Sequence, residues 1–196
     1  MLSADDPLPS VPRRVLVAGT SGSGKTTLAG RIAAVAGVPP TEIDSLYHGP
    51  GWTPRDSFML DVAALAGQPE WVTEWQYGIA RPVLLERSDL LVWLDLPPAV
   101  VMRGVVRRTV QRRCRRTVLW NGNQEAPLST FFTDRDHIVR WAWRTRHDTA
   151  ARVAAAVGSR PDLSVVRLTS RHSVDRWLAG PLLDSCCSGL HAGRSG

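Results

Sequence analysis

The sequence predicts an α/β protein built on a parallel β-sheet that helices cover on both faces. Short apolar segments alternate with segments of helical composition along most of the chain, which is typical of parallel sheets. The apolar segments also lack a clean alternation of apolar and polar residues, as expected of strands that are buried on both faces. In such folds ligands bind beyond the carboxyl ends of the strands, so the residues that follow each strand are the first candidates for a functional site.

The predicted strands are short apolar runs bounded by turn-forming residues. The segment RRVLVAG leads directly into glycines, and DLLVWLDLP is an apolar run closed by proline. The five predicted strands are residues 13–19, 41–44, 70–75, 89–97 and 163–168.

The predicted helices carry recognisable start and stop residues. The first begins near Lys25 and stops at Gly37, and the second opens with Thr53, followed by Pro54 at its first position and Asp56 at the capping-box position. The predicted helices are residues 25–37, 53–67, 80–88, about 98–116, about 136–157 and 173–180. We expect a flexible lead-in at residues 1–12, one domain at residues 13–182 and a disordered tail at residues 183–196.

The composition limits the class of protein. With 196 residues, 43% of them hydrophobic and 21% charged, the chain is typical of a single globular domain with a sizeable core. The net charge of +6 favours anionic partners such as nucleotides, phosphorylated metabolites or nucleic acid. No apolar run reaches the roughly 18 to 20 residues of a membrane helix, and the N-terminus lacks a signal-peptide pattern. The three cysteines show neither zinc-site nor disulfide spacing, so we expect a cytoplasmic protein.

The stretch GTSGSGKTT predicts a phosphate-binding loop. It fits the pattern G-x-x-x-x-G-K-[ST] at every fixed position, between a predicted strand and a predicted helix. Backbone N–H groups of such a loop point at phosphate oxygens, and the dipole of the following helix favours the same negative charge. Lys25, the only lysine in the chain, is predicted to bind the β- and γ-phosphates of ATP, and Thr26 to give its hydroxyl to Mg²⁺. The predicted nucleotide-binding residues are Gly19, Thr20, Ser21, Gly22, Ser23, Gly24, Lys25, Thr26 and Thr27.

A wider set of segments carries a resemblance to a known family. With EIDSLYHGPGW, WVTEWQYG, LLVWLDLP and an arginine-rich helix, residues 13–182 resemble the small P-loop kinases related to adenylate kinase. Within them the sequence looks most like the group called DNA topology modulation proteins or adenylate-kinase-like ATPases. The resemblance implies a three-layer α/β/α fold with a five-stranded parallel sheet in the order 2-3-1-4-5. It also implies a phosphoryl-acceptor region after the first helix and a short arginine-bearing lid at about residues 112–136.

The resemblance also implies roles for single residues. Asp44 lies on the acceptor side, near the end of the second predicted strand, and Glu74 ends the third, where relatives place an acid that orients Mg²⁺. The next residue is Trp75, where relatives often have glycine, so the acceptor pocket departs from the family pattern. Arg103 and Arg107 match arginines that relatives place near the base and the phosphates at the root of the lid.

Further side chains are candidates for contacts with substrate or metal. Asp95 closes the fourth predicted strand and is predicted either to touch the metal site or to cap the next helix. Residues 101–116 carry seven arginines and no acid, which favours a bound anion, either the triphosphate or a nucleic-acid backbone. The candidate acceptor contacts are Trp52, Arg55, Arg81, Arg140 and Arg144.

Two functions fit these residues. In the first, a kinase of the adenylate-kinase type binds ATP and Mg²⁺ and passes the γ-phosphoryl group to a small nucleotide or nucleoside-like acceptor beside Asp44. A hydroxyl acceptor would use this carboxylate to accept or orient its proton, whereas a nucleoside monophosphate would use arginines and need no base. In the second, the protein is an ATP-dependent nucleic-acid-associated or regulatory ATPase, for which the arginine-rich helix is the local support. Catalytic roles are predicted for Lys25, Asp44, Arg103 and Arg107, and metal-binding roles for Thr26 and Glu74.

Overall fold

The computed structural model of the protein describes residues 1–104 and 148–192, which contain a five-stranded sheet. The strands are β1 (Arg14–Gly19), β2 (Pro40–Thr41), β3 (Trp71–Glu74), β4 (Leu90–Leu94) and β5 (Ser164–Leu168). Their order is β2-β3-β1-β4-β5 and every pairing is parallel, which confirms the predicted fold class and strand order. The central position of β1 places the glycine-rich loop that follows it at the middle of the carboxyl edge of the sheet.

Helices cover both faces of this sheet. They are α1 (Lys25–Ala36), α2 (Ile43–Tyr47), α3 (Phe58–Ala66), α4 (Arg81–Arg87), α5 (Asp148–Ser159), α6 (Arg171–Trp177) and α7 (Leu183–Ala192). A 3-10 turn at Pro50–Trp52 and a π-helical turn at Leu178–Leu182 complete these elements, and residues 98–104 are also helical. No helix among these described residues is both long enough and apolar enough to cross a membrane.

Strand β1 is buried on both faces, which explains its uninterrupted apolar sequence. Val15 and Val17 point into one core cluster, shared with α1 and α6. Leu16 and Ala18 point into the opposite cluster, shared with α3, α4 and α5. Because successive side chains of a strand alternate between its faces, both sets of positions must be apolar in a central strand.

The second strand is shorter than predicted and a helix replaces its end. Residues 41–44 were expected to be extended, but β2 ends at Thr41 and α2 begins at Ile43. Asp44 therefore lies in the first turn of α2 and not at the end of a strand. The backbone N–H of Ile43 donates a hydrogen bond to Glu74 Oε2 at 3.0 Å, which holds the start of α2 against the end of β3.

The helix predicted to open at Thr53 begins only at Phe58. The residues before it close into a loop, in which the Gly49 N–H donates to the Thr53 carbonyl at 2.7 Å and the Arg55 N–H donates to the Tyr47 carbonyl at 2.9 Å. These hydrogen bonds use the Thr53 carbonyl and the Arg55 N–H, which belong to the segment where the first turn of the predicted helix would form.

The two ends of the described chain differ from the sequence-based expectation. The Leu2 N–H donates to the Val165 carbonyl at 2.7 Å, the Arg167 N–H donates to the Leu2 carbonyl at 2.9 Å, and Ala4 is buried in the core. Helix α7 occupies Leu183–Ala192, within the predicted disordered tail. The structure thus shows a backbone pairing at Leu2, in the segment expected to be a flexible lead-in, and a helix in the segment expected to be a disordered tail, while the division of the chain at these points stays a prediction. The predicted lid at about residues 112–136 lies outside the described residues.

Candidate functional site

The loop between β1 and α1 adopts a conformation that its glycines permit. Gly22 and Gly24 have φ values of 80° and 100°, a region that glycine enters without a steric penalty. Gly19 has no room for a side chain, because a Cβ atom there would lie 2.6 Å from Ser23 Oγ and 3.2 Å from Leu94 Cβ. These residues allow the loop to curl tightly at the carboxyl end of the central strand, where the sequence predicts phosphate binding.

Two polar side chains of the loop bear on the predicted phosphate binding. Lys25 Nζ donates a hydrogen bond to the Thr20 carbonyl at 3.1 Å, which holds the ammonium group over the loop. The Ser23 hydroxyl is buried, and no hydrogen-bond partner for it exists among the residues that the structure describes. A buried hydroxyl without a partner costs free energy, and a phosphate oxygen bound in the loop would provide one.

The predicted Mg²⁺ ligands Thr26 and Glu74 lie close together. Glu74 is only 4% exposed, and this burial raises the pKa of its carboxyl group, although hydrogen bonds from the Ile43 backbone and the Thr26 hydroxyl act in the opposite direction. Residues 1–104 and 148–192 contain no cluster of three or more His, Cys, Asp or Glu side chains that could hold a metal. Mg²⁺ commonly takes one or two protein carboxylates and completes its shell with phosphate oxygens and water. One hydroxyl and one buried carboxylate beside the loop therefore fit a nucleotide-bound Mg²⁺.

Asp44 is held by two side chains that follow β3. Gln76 Nε2 donates a hydrogen bond to Asp44 Oδ1 at 2.6 Å, and the Tyr77 hydroxyl donates to the same oxygen at 2.7 Å. His48 Nε2 lies 3.1 Å from the Tyr77 hydroxyl. Burial raises the pKa of Tyr77, and the negative charge of Asp44 adds to the effect, so the phenol stays protonated. The carboxylate is thereby fixed in place beside the end of β3.

Aromatic rings pack around this network. Tyr77 stacks on Tyr47 with ring centroids 4.1 Å apart, and Trp52 lies edge-on to His48 at 5.0 Å. Tyr77 and Trp52 also have positive φ values, 57° and 61°, which are uncommon for residues of this size. Such backbone strain persists where surrounding contacts hold it, and it concentrates at functional sites. Trp52, a predicted acceptor contact, is 39% exposed and contacts this network through His48.

The two other predicted acceptor contacts in the described chain differ in their surroundings. Arg55 Nη2 lies 3.1 Å from Asp61 Oδ2, so this arginine braces its loop against α3. Arg81 begins α4, and its guanidinium carbon lies 5.9 Å from the centroid of the Trp75 ring. Burial lowers the pKa of Arg81, and no carboxylate in the described part of the chain forms an ion pair with it. Arg81 is therefore the better placed of the two arginines to receive an anionic group.

The helical segment that ends the first described range abuts the phosphate loop. A Cβ atom on Gly104 would lie 3.0 Å from the Gly22 carbonyl oxygen, so a glycine lets the two backbones meet. This contact brings the exposed Arg103, a predicted catalytic residue, to the neighbourhood of the loop. The guanidinium of Arg171 lies in the same place. A Cβ atom added at Gly24 would lie 3.7 Å from its Nη1, and one added at Gly104 would lie 4.0 Å from its Nη2.

Arg171 is a candidate nucleotide contact that sequence reasoning missed. It is the first residue of α6, whose start is fixed by a capping box in which the Ser170 and Ser173 side chains each accept the other's backbone N–H at 3.0 Å. Arg171 lines a cavity of about 210 Å³ beside the loop, together with Thr27 and Leu96. Its position shortly after the carboxyl end of β5 is the sequence signal that could have identified it.

Asp95 is engaged in an ion pair at the end of β4. Its Oδ2 accepts hydrogen bonds from Arg167 Nε at 2.8 Å and from Arg167 Nη2 at 2.5 Å, while the guanidinium carbon lies 5.1 Å from the centroid of the Trp93 ring. This ion pair is the contact that the structure shows for Asp95, and the two predicted roles, at a metal site or as a helix cap, stay predictions. The remaining predicted site residues, Arg107, Arg140 and Arg144, lie outside the described residues.

Known proteins provide a comparison for this geometry. The sequence matches no protein-family model and no curated protein. Among solved structures, the protein is similar to a gluconokinase from Sinorhizobium meliloti 1021, with 21% identity and a TM-score of 0.51 over 95% of this chain and 99% of the other. Other similar structures are a sugar kinase from Janibacter sp. HTCC2649 (22% identity, TM-score 0.45, 89% and 98% of the chains) and a shikimate kinase from Bacteroides thetaiotaomicron (15%, 0.44, 86% and 95%). The first likeness, together with the strand order, shows that the chain has the fold of the small P-loop kinases.

Proposed function

We propose that the protein is an ATP-dependent kinase that transfers the γ-phosphoryl group of ATP to a hydroxyl group of a small acceptor. The observation that carries the proposal is the joint placement of Glu74 and Asp44. The Ile43 N–H donates to the Glu74 carboxylate, and Asp44 is the next residue along the chain. A predicted metal ligand and a fixed carboxylate therefore lie together at the carboxyl edge of the sheet that carries the phosphate loop.

The donor half of the proposal rests on the loop and its surroundings. Lys25 would bind the β- and γ-phosphates, and the buried Ser23 hydroxyl would donate to a phosphate oxygen. Arg171 lines the adjoining cavity and is exposed, so its planar guanidinium is available to the nucleotide. Thr26 and Glu74 would hold Mg²⁺, which supplies positive charge to the transferring phosphoryl group when it is bound with the nucleotide.

The acceptor half assigns Asp44 to the hydroxyl proton. A lone pair of the acceptor oxygen attacks the γ-phosphorus, a new O–P bond forms, and the bond from that phosphorus to the β–γ bridging oxygen breaks. The bonding electrons leave with ADP, and the hydroxyl proton passes to the Asp44 carboxylate and then to solvent. A positioned base of this kind contributes on the order of 10²- to 10⁴-fold to a rate.

The other acceptor class is a nucleoside monophosphate, as in adenylate kinases. It would need arginines and no base. Of the arginines predicted to contact the acceptor, Arg55 is paired with Asp61, which leaves Arg81 in the described chain. The fixed carboxylate of Asp44 favours the hydroxyl acceptor, which includes the sugar hydroxyls of nucleosides. For a nucleic-acid-associated ATPase, no feature of the described residues adds to the arginine-rich segment found in the sequence.

The proposal is tested by ADP formation with a panel of polyols, sugar acids, nucleosides and nucleoside monophosphates. We expect a hydroxyl compound to stimulate turnover and Asp44→Asn to lower that rate by about 100-fold or more, with the Kd for ATP changed less than about twofold. Asp56→Asn makes the same chemical change on the exposed loop and should leave the rate unchanged. Stimulation only by monophosphates, at a rate that Asp44→Asn retains, would contradict the hydroxyl assignment.

A further inference from the structure

We infer that Gln76 and Tyr77 are positioning residues, which together hold one oxygen of Asp44 and leave its other oxygen to receive the acceptor hydroxyl. The inference rests on the proposed function. It assigns different roles to the two carboxylate oxygens of Asp44. Trp75 separates this pair of residues from the end of β3 at Glu74, and Gln76 is the first residue beyond the end predicted for that strand.

The hydrogen bonds on Asp44 are unequally distributed between its two oxygens. Oδ1 accepts from Gln76 Nε2 at 2.6 Å and from the Tyr77 hydroxyl at 2.7 Å. No side chain or backbone group of the described residues donates a hydrogen bond to Oδ2. Two charge-assisted bonds fix the rotation of the carboxyl group, because turning it would break both. Oδ2 is therefore the oxygen left to accept a proton from a substrate.

The direction of the proton at Tyr77 follows from the network itself. A phenol has one proton to give, and at Asp44 it meets an oxygen that carries negative charge. His48 Nε2, at 3.1 Å from the phenol oxygen, must then donate its own N–H to that oxygen. The chain of donors therefore runs from His48 through Tyr77 to Asp44.

The fold holds Tyr77 in this arrangement against a local cost. Its backbone has a φ of 57°, and its ring packs against Tyr47, stacked at 4.1 Å, and against Phe58, edge-on at 5.3 Å. A strained backbone of this kind carries an energetic cost and persists where the surrounding packing holds it. The stacking fixes the ring plane, so the hydroxyl reaches Asp44 without a search through other rotamers.

The test compares Tyr77→Phe with Tyr47→Phe, since these are the only two tyrosines in the chain. Each change removes one hydroxyl and keeps the stacked ring. We expect Tyr77→Phe to lower kcat by about 10- to 100-fold, the value of a hydrogen bond to a charged group, and to change KM for the acceptor less than about twofold. Tyr47→Phe should leave both constants within about twofold of the original protein.

The double substitution Asp44→Asn with Tyr77→Phe tests whether Tyr77 acts through Asp44. Residues that act as a unit are not additive, so Tyr77→Phe should cost nothing further when Asp44 is already Asn. An equal loss in both backgrounds would overturn the inference. The rate used is ADP formation with the fastest acceptor of the panel, or with water if no acceptor stimulates it. If no acceptor of the panel stimulates ADP formation, the proposed function is contradicted. If Tyr77→Phe lowers the rate equally in both backgrounds, the positioning role is contradicted.

A spectroscopic measurement tests the same contact without turnover. Protein labelled with ¹³C at the tyrosine Cζ gives two signals, which Tyr77→Phe assigns. Because the Cζ shift responds to the hydrogen bond of the phenol, Asp44→Asn should move the Tyr77 signal and leave the Tyr47 signal in place. A Tyr77 signal that Asp44→Asn does not move would also overturn the inference.

Discussion

The backbone N–H of Ile43 donates a hydrogen bond to Glu74 Oε2 at 3.0 Å, and this contact joins the predicted metal side of the site to its acceptor side. Glu74 ends β3, whereas Ile43 begins α2 and is followed by Asp44. A change at Glu74 is therefore expected to affect both Mg²⁺ use and the placement of Asp44, and the kind of substitution separates the two effects.

Glu74→Gln should raise the Mg²⁺ concentration needed for half-maximal ADP formation by about tenfold or more. The glutamine keeps an oxygen for the Ile43 N–H but lacks the charge that attracts a divalent cation. The measurement is a Mg²⁺ titration at saturating ATP, with Glu70→Gln as the control, because Glu70 is a surface residue paired with Arg13. An unchanged Mg²⁺ requirement would contradict the ligand role of Glu74.

The same substitution should affect stability in a pH-dependent way. Burial raises the pKa of Glu74 above its ordinary value, so the folded state binds a proton more tightly than the unfolded state. Its contribution to stability is present below the ordinary glutamate pKa and is lost as the pH rises through the raised value; a tenfold difference in proton affinity between the two states corresponds to about 1.4 kcal/mol. In thermal unfolding without nucleotide or Mg²⁺, Glu74→Gln should gain in Tm relative to the original protein as the pH increases from acid to neutral. A constant difference in Tm across this range would contradict the prediction.

Lys25→Arg should weaken ATP binding by about 10-fold or more, although it retains the positive charge. The ammonium group fits over the loop, where it donates to the Thr20 carbonyl at 3.1 Å, and the wider planar guanidinium is not its equivalent. Binding of a fluorescent ATP analogue measures the effect, and circular dichroism checks the fold. Arginine at this position with unchanged affinity would show that the loop needs only a charge.

Gly104→Ala should weaken ATP binding by displacing the helical segment from the phosphate loop. The added Cβ would lie 3.0 Å from the Gly22 carbonyl oxygen, and a forced shift of this kind costs about 1 to 3 kcal/mol. Gly158→Ala is the matched control, because its Cβ would meet nothing within 4 Å near the end of α5 and should be neutral or stabilising. Equal Kd values for ATP in both variants would rule out the close contact.

Arg171→Ala should raise the Kd for ATP by about 10-fold, the value of a charge-assisted contact. Its guanidinium lies beside Gly24 and lines the cavity next to the loop. Arg176→Ala removes another arginine from the same helix, one that pairs with Asp5 at 3.0 Å, and it should leave ATP binding unchanged. A similar effect of both substitutions would point to the charge of α6 as a whole and not to a specific contact of Arg171.

Much of the fold could be predicted because its signals are local in the sequence. Buried strands are apolar runs and a phosphate loop is nine consecutive residues, so β1, the loop and α1 were placed within one residue of their observed bounds. Prediction was weaker where competing backbone bonds decide the outcome. The loop before Phe58 takes the place of the first turn of the predicted helix. Leu2, in the segment predicted to be a flexible lead-in, is hydrogen-bonded to the backbone of β5.

The sequence alone thus determined the class of fold and the place of the phosphate loop, since neighbouring residues suffice to specify both. Only the tertiary structure decided the partners of Asp44, because Gln76 and Tyr77 are 32 and 33 positions away and meet it through the parallel pairing of β2 with β3. It likewise brought Arg171 to a loop that ends more than 140 residues earlier, and engaged Asp95 with Arg167. Such contacts depend on strand order and register, which align the carboxyl ends of distant strands at one edge of the sheet.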